Sequence, residues 1–422
     1  MDCRKEQLLY FLLLRCVEDG HEKGAEAALA AGASVDGPLM SKDGCPLARA
    51  VLFGQASMVD LLIKKGANVG AGFPEDVRAD GVVAIAKGSQ PLHIAASCCQ
   101  SNIIGLLLES GAMVNATDAY GSTPLLASCL FRLGDARSSS TITRAHVGRE
   151  LLGAGADATL ADITGRIALH YAADIDDTDV IELLVSAAPE TLNRVDWAGE
   201  TPLFAAAQAG NVNSIRCLLL AGASQPAPTH ETIKCPLVVA VEKGHGIVVH
   251  VLLDEGMEAL YGPVMHDAIV EAVAQRRAGI LHALLEWGED NLGPWEGLNG
   301  LRLMGTLILH FAASHSDPAT IGVLLALGAD ENEADNCGQR PGDVIGVREG
   351  CSQEKQEACV RVLERGPAYR ALSWTWPVRH GARAETRARK PTLALGIFIA
   401  AHQAAMRSAT FAKLIDCYTQ KP

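Results

Sequence analysis

Three histidines, His93, His170 and His310, share one local context, each directly after Pro-Leu, Ala-Leu or Ile-Leu. A metal site or an acid–base centre would need a second donor close by, such as two histidines one helical turn apart. None of the 13 histidines forms an H-x-x-x-H or H-E-x-x-H spacing. The three lie in separate copies of one motif, and no metal is expected. Gly153-Ala154-Gly155 has the glycine content of a nucleotide loop but the wrong setting. It follows a helical pattern and precedes a turn, whereas a dinucleotide fingerprint follows a strand and opens a helix. No phosphate-binding G-x-x-x-x-G-K-[ST], no G-x-S-x-G and no kinase set occurs. The acidic residues are scattered as on a solvated face. No catalytic residue and no cofactor is expected, and the chain reads as a non-enzyme.

The 12 cysteines include no C-x-x-C pair, so a zinc ribbon or a dithiol redox motif is not expected. Cys16, Cys98, Cys217 and Cys359 fall at helical positions, where a free thiol behaves as a small hydrophobe. A reducing compartment, cytoplasmic or nuclear, is expected. Arg4-Lys5 ahead of Leu8–Leu14 has the outline of a secretory leader, but Arg15, Glu18 and Asp19 stand where small residues should begin. The stretch is expected instead to be the first helix of a fold. Residues 367–422 carry nine basic side chains against two acidic, an excess of seven. With −13 for the whole chain, residues 1–366 hold −20. Such an acidic body argues against nucleic acid as its ligand, while the basic tail suits an anionic surface.

The elements behind these residues repeat. Gly121-Ser122-Thr123-Pro124-Leu125 recurs as Gly199-Glu200-Thr201-Pro202-Leu203, and more loosely as Gly165–His170. Pro-Leu returns at Pro46-Leu47, Pro91-Leu92 and Pro236-Leu237, and the anchor leucines Leu169, Leu203 and Leu237 are spaced by 34 residues. Each start leads to a Leu-Leu pair and then Gly-Ala, as in Leu107-Leu108…Gly111-Ala112 and Leu218-Leu219…Gly222-Ala223. The physics of each part is simple. Thr caps a helix whose first position is Pro, where a missing N–H costs nothing. Gly ends the second helix because it accepts the left-handed conformation. Asp-x-x-Gly, at Asp118–Gly121, Asp162–Gly165, Asp196–Gly199 and Asp335–Gly338, makes a tight hairpin between units.

A period of 33 residues, as from Leu92 to Leu125, with a T-P-L-H-x-A core resembles the ankyrin repeat family. The resemblance covers roughly residues 5–366 and implies an all-α ankyrin-repeat solenoid of stacked helix-turn-helix units with β-hairpin fingers. About ten units are expected, at 5–37, 43–70, 89–116, 121–160, 165–194, 199–226, 232–258, 263–291, 305–334 and 338–366. Insertions interrupt the period at 70–88, 131–146 and 288–304, and 367–422 forms a basic, non-repeat tail, partly helical or poorly ordered. The resemblance also implies that the three histidines bond between neighbouring loops and that Asn115 is a hairpin asparagine. Arg137 ahead of Ser140 fits a basophilic kinase site.

The function expected is that of a non-enzymatic scaffold that binds a protein partner through its fingers and concave helix face, as a monomer. The alternative is an adaptor that holds a substrate in the groove and recruits a catalytic partner or a membrane through the tail. The variable finger positions are the expected contact residues: Tyr120 and Ser122; Ile163, Thr164 and Arg166; Trp197, Ala198 and Glu200; and Asn336. Tyr120 and Trp197 are proposed anchors, because Tyr and Trp dominate interface hot spots. The competing expectation is that the two rings fold back onto a neighbouring finger or an insertion.

Overall fold

The computed structural model describes residues 3–37, 45–79, 82–130, 144–224, 235–255, 263–292, 302–303, 306–315, 317–326, 328–346 and 352–366. The chain divides into two compact units, Met1–Pro236 and Leu237–Pro422.

The first unit is a succession of short helix pairs: α1 (Cys3–Glu18) and α2 (Glu22–Ala30), α3 (Pro46–Leu52) and α4 (Ala56–Lys64), then α5 (Pro91–Ser97) and α6 (Ser101–Glu109). It continues with α7 (Pro124–Cys129) and α8 (Arg144–Gly153), α9 (Ala168–Asp174) and α10 (Thr178–Ala187), then α11 (Pro202–Ala209) and α12 (Val212–Leu220). Helices this short are marginal alone, so each depends on its neighbours. Leu47, Leu92, Leu125, Leu169 and Leu203 bury one ladder through the first helices of successive pairs. Leu62, Leu107, Leu151, Leu184 and Leu218 bury another through the second helices. Caps follow the sequence logic: the Thr123 and Thr201 hydroxyls accept from the Leu126 and Phe204 amides at 3.3 and 3.1 Å.

The turn inside five of these pairs holds a left-handed residue. Gly20, Gly54 and Gly210 fill it in three pairs, but Cys99 and Asp176 hold the same turn at φ +52° and +59°. Asp176 is anchored there by accepting from the Ser214 amide and hydroxyl, at 2.8 and 2.9 Å. The 70–88 insertion contains an antiparallel ribbon, β1 (Val77–Ala79) with β2 (Val82–Ile85).

The second unit begins within α13 (Pro236–Lys243), paired with α14 (Gly246–Glu255), followed by α15 (Pro263–Ala274) and α16 (Ala278–Leu292). A small ribbon of β3 (Arg302–Leu303) and β4 (Thr306–Leu307) leads into α17 (Ile308–Ser314) and α18 (Pro318–Ala326). A 3-10 turn at Pro341–Val344 and α19 (Gln353–Glu364) close the described part. The tail 367–422, Ser140 and Arg137 lie outside the described residues.

Among the described residues, no helix is long and apolar enough to cross a membrane, and no cluster of His, Cys, Asp and Glu is placed to hold a metal ion. The nine described cysteines with placed side chains are not in disulfides. Burial pushes the Cys129 thiol up to about 12, so it is an inert core group.

Candidate protein-binding surface

Each Asp-x-x-Gly finger is built by its own aspartate. Asp118 Oδ1 accepts from the Tyr120 and Ser122 amides, both at 2.9 Å. Asp162 Oδ1 does the same for Thr164 and Arg166, and Asp196 Oδ1 for Ala198 and Glu200. Successive fingers are then tied together through the backbone. The Ala119 amide donates to Lys87 O at 2.8 Å, Ile163 to Tyr120 O at 3.0 Å, and Trp197 to Thr164 O at 3.0 Å. The strip is therefore continuous from residue 87 to 199 and holds its outward side chains in fixed register.

The two buried histidines of the first unit fasten this strip to the helices. His93 Nδ1 accepts from the Gln90 amide while Nε2 donates to Ser122 O at 2.9 Å, in the next finger. His170 repeats the pattern with the Ile167 amide and with Glu200 O at 3.0 Å. Burial holds both imidazoles below their ordinary pKa, so they are neutral with the proton on Nε2. In the second unit His310 Nε2 donates to Gln339 O at 2.8 Å. A neutral ring with both nitrogens engaged, as in His93 and His170, is a clamp and not an acid–base catalyst.

A helix pair closed by a finger, and a histidine bonded to the following finger, is one supersecondary unit repeated. Family models agree: residues 87–119 match the ankyrin repeat, and residues 143–229 match a model of three ankyrin repeats. These two stretches of the chain are ankyrin repeats. The chain is 30% identical over 228 residues to human Rabankyrin-5, covering 51% of this chain and 18% of that protein. It is 31% identical over 187 residues to ankyrin repeat protein nuc-2 of Neurospora crassa, covering 44% of this chain and 17% of the relative. With the Drosophila melanogaster neurogenic locus Notch protein it shares 35% over 124 residues, 29% of this chain and 4% of the other. The chain thus spans less than a fifth of each of these relatives, and what it shares with them is the repeat module, which serves protein–protein interaction.

Within the ankyrin frame the expected contact residues separate into two groups. Trp197 is 78% exposed and Ile163 61%, at the same register in adjoining fingers. Thr164 and Ala198 are exposed beside them, although the Thr164 hydroxyl is committed to Asp162 Oδ1 at 2.6 Å. Asn336 is exposed in the second unit, on a finger closed by Asp335. The indole of Trp197 lies against Gly165, whose missing side chain leaves the space: a Cβ there would sit 2.9 Å from Trp197 Cδ2.

Tyr120, Ser122 and Arg166 do not stand out toward a partner as expected, and the reasons are specific. Tyr120 is half-buried and its hydroxyl donates to Asp76 Oδ2 at 2.8 Å, so the ring is folded back onto the 70–88 insertion. Ser122 is 5% exposed, enclosed by the preceding repeat. Arg166 turns inward: its guanidinium carbon lies 4.6 Å from the centre of the Tyr171 ring, and Nη2 is 3.8 Å from Asp174 Oδ2. Glu200 is half-buried, with its carbonyl engaged by His170.

Tyr171 is the residue that finger-based reading passes over. Its hydroxyl donates to Asp162 Oδ2, and burial together with that bond raises the phenol well above its ordinary pKa. Its place directly after His170, the variable position of the T-P-L-H-x-A core, was the available signal. Asn115 takes the structural role the resemblance implies, donating to Gly155 O at 3.1 Å and accepting from the Asp157 amide at 2.9 Å.

Proposed function

We propose that this chain binds a protein partner across the finger edge of its first unit, with Trp197 and Ile163 as the apolar anchors and Thr164, Ala198 and Glu200 around them. The observation that carries this reading is the pair of large apolar side chains held outward at one register on a strip fixed by backbone bonds. An isolated exposed hydrophobe needs no explanation, but two at matched positions on a rigid element make a docking feature. Preorganisation matters as much as area, since side chains already held in place lose little entropy on binding. The acidic charge of residues 1–366 favours a basic partner and steers its approach.

Affinity capture from the native cell, read by quantitative mass spectrometry, tests the proposal with an internal control. Leu220, 88% exposed at the end of α12, is as apolar as the anchors but lies off the fingers. Partners lost from Trp197→Ala and Ile163→Ala but retained by Leu220→Ala support the finger edge. Equal retention by all three variants rejects it.

A further inference from the structure

A small cleft lies between the repeats that carry α5 and α7, open to solvent, with a volume of about 30 Å³. Its walls are apolar at Ile85, Ala127 and Leu130, and its polar groups are Ser89, Asp118 and Ser122. Two of these have acceptor capacity left over. The Ser122 hydroxyl, buried to 5% exposure, has no hydrogen-bond partner among the described residues. Asp118 spends Oδ1 on its own finger, while among the described residues Oδ2 meets only the Ser89 hydroxyl, at the long distance of 3.5 Å. His93 borders the cleft but is neutral and has both ring nitrogens engaged, so it neither fills it nor repels a cation.

The following repeat differs at two of these positions. At the register of Ser122 it carries Arg166, and at the register of Ala127 it carries Tyr171. There the chain supplies its own cation, stacked on its own ring and close to an aspartate. The α5–α7 junction has small residues at both positions and keeps the acceptors.

We propose that this cleft receives a lysine side chain of the protein partner, its methylenes between Ile85, Ala127 and Leu130 and its ammonium on Asp118 Oδ2 and the Ser122 hydroxyl. An ammonium brings several donors and no acceptor, which matches a carboxylate oxygen that meets one distant hydroxyl and a hydroxyl with no partner among the described residues. The volume holds about two or three water-sized groups, enough for the end of a lysine and too little for the planar fork of arginine. The net charge of the body acts in the same direction at longer range.

This inference rests on the finger face being a protein-binding surface, but its test needs no partner. The full chain is titrated with the capped peptide Ac-Ala-Ala-Lys-Ala-Ala-NH2 and with its norleucine counterpart, following backbone amide resonances by NMR. The lysine peptide is expected to shift the Ser122, Asp118 and His93 amides saturably, and the norleucine peptide is not. Asp118→Asn keeps Oδ1 for the finger and removes the charge, and is expected to weaken the peptide by about tenfold. Ser122→Ala, which breaks no bond of the finger, is expected to weaken it by a smaller factor. Equal shifts from both peptides, or unchanged affinity in Asp118→Asn, would overturn the proposal and leave the cleft to ordered water. A failed titration beside capture that still depends on Trp197 rejects the cleft alone.

Discussion

Two aromatic rings at finger tips are put to different uses. Tyr120 is bound to Asp76 and belongs to the architecture, whereas Trp197 is presented. Tyr120→Phe is therefore expected to cost about 1 kcal/mol of stability, the usual worth of such a bond, with partner capture unchanged. Trp197→Ala should do the reverse, lowering affinity by about 2 kcal/mol while the melting temperature stays put. Gly165 links the two properties. It sits at φ +82° with the indole against it, so Gly165→Ala should lower both the melting temperature and the binding. Sequence reading named both rings and left open which would fold back. The decision rests on Asp76, 44 residues upstream in a segment outside the period. A contact of that kind carries no periodic signal.

At the scale of the element, the helix pairs and fingers were legible because one unit is written many times over, and Thr-Pro, Leu-Leu and Asp-x-x-Gly each have a local physical role. The ribbon β1–β2 was not, since the 70–88 insertion is met once and has no second copy to compare. The inward turn of Arg166 was also hidden, because it depends on Tyr171 in its own repeat and not on the finger. The buried histidines give this scale its own prediction. Their folded pKa values lie below 6.5, so only the unfolded chain takes up their protons just beneath that pH. Stability from these clamps is full above the ordinary imidazole pKa and is lost as pH falls through the folded values. Urea midpoints should drop between about pH 7.5 and about pH 5.5, with a shallower drop in His93→Gln/His170→Gln. The left-handed turn found inside several pairs offers a second check. Arg276 holds φ +56° in the second unit, where Gly244 fills the equivalent turn of the preceding pair. Arg276→Gly should leave the fold intact and stabilise it by about 0.5 kcal/mol, the relief of left-handed strain less the entropy of a freer unfolded chain.

For the whole molecule, charge and scaffold act together. On the proposed function, an acidic repeat body that presents apolar anchors binds by burial at the fingers and selects by electrostatics around them. Association should slow as ionic strength rises from about 0.05 to about 0.3 M, while dissociation changes little. The most direct test of the central claim is hydrogen–deuterium exchange of the first unit with and without its captured partner. The account predicts slowed exchange in peptides spanning 118–121, 162–166 and 196–200, and unchanged exchange at the end of α12 around Leu220. Protection at α12 with the finger peptides unaffected would contradict it.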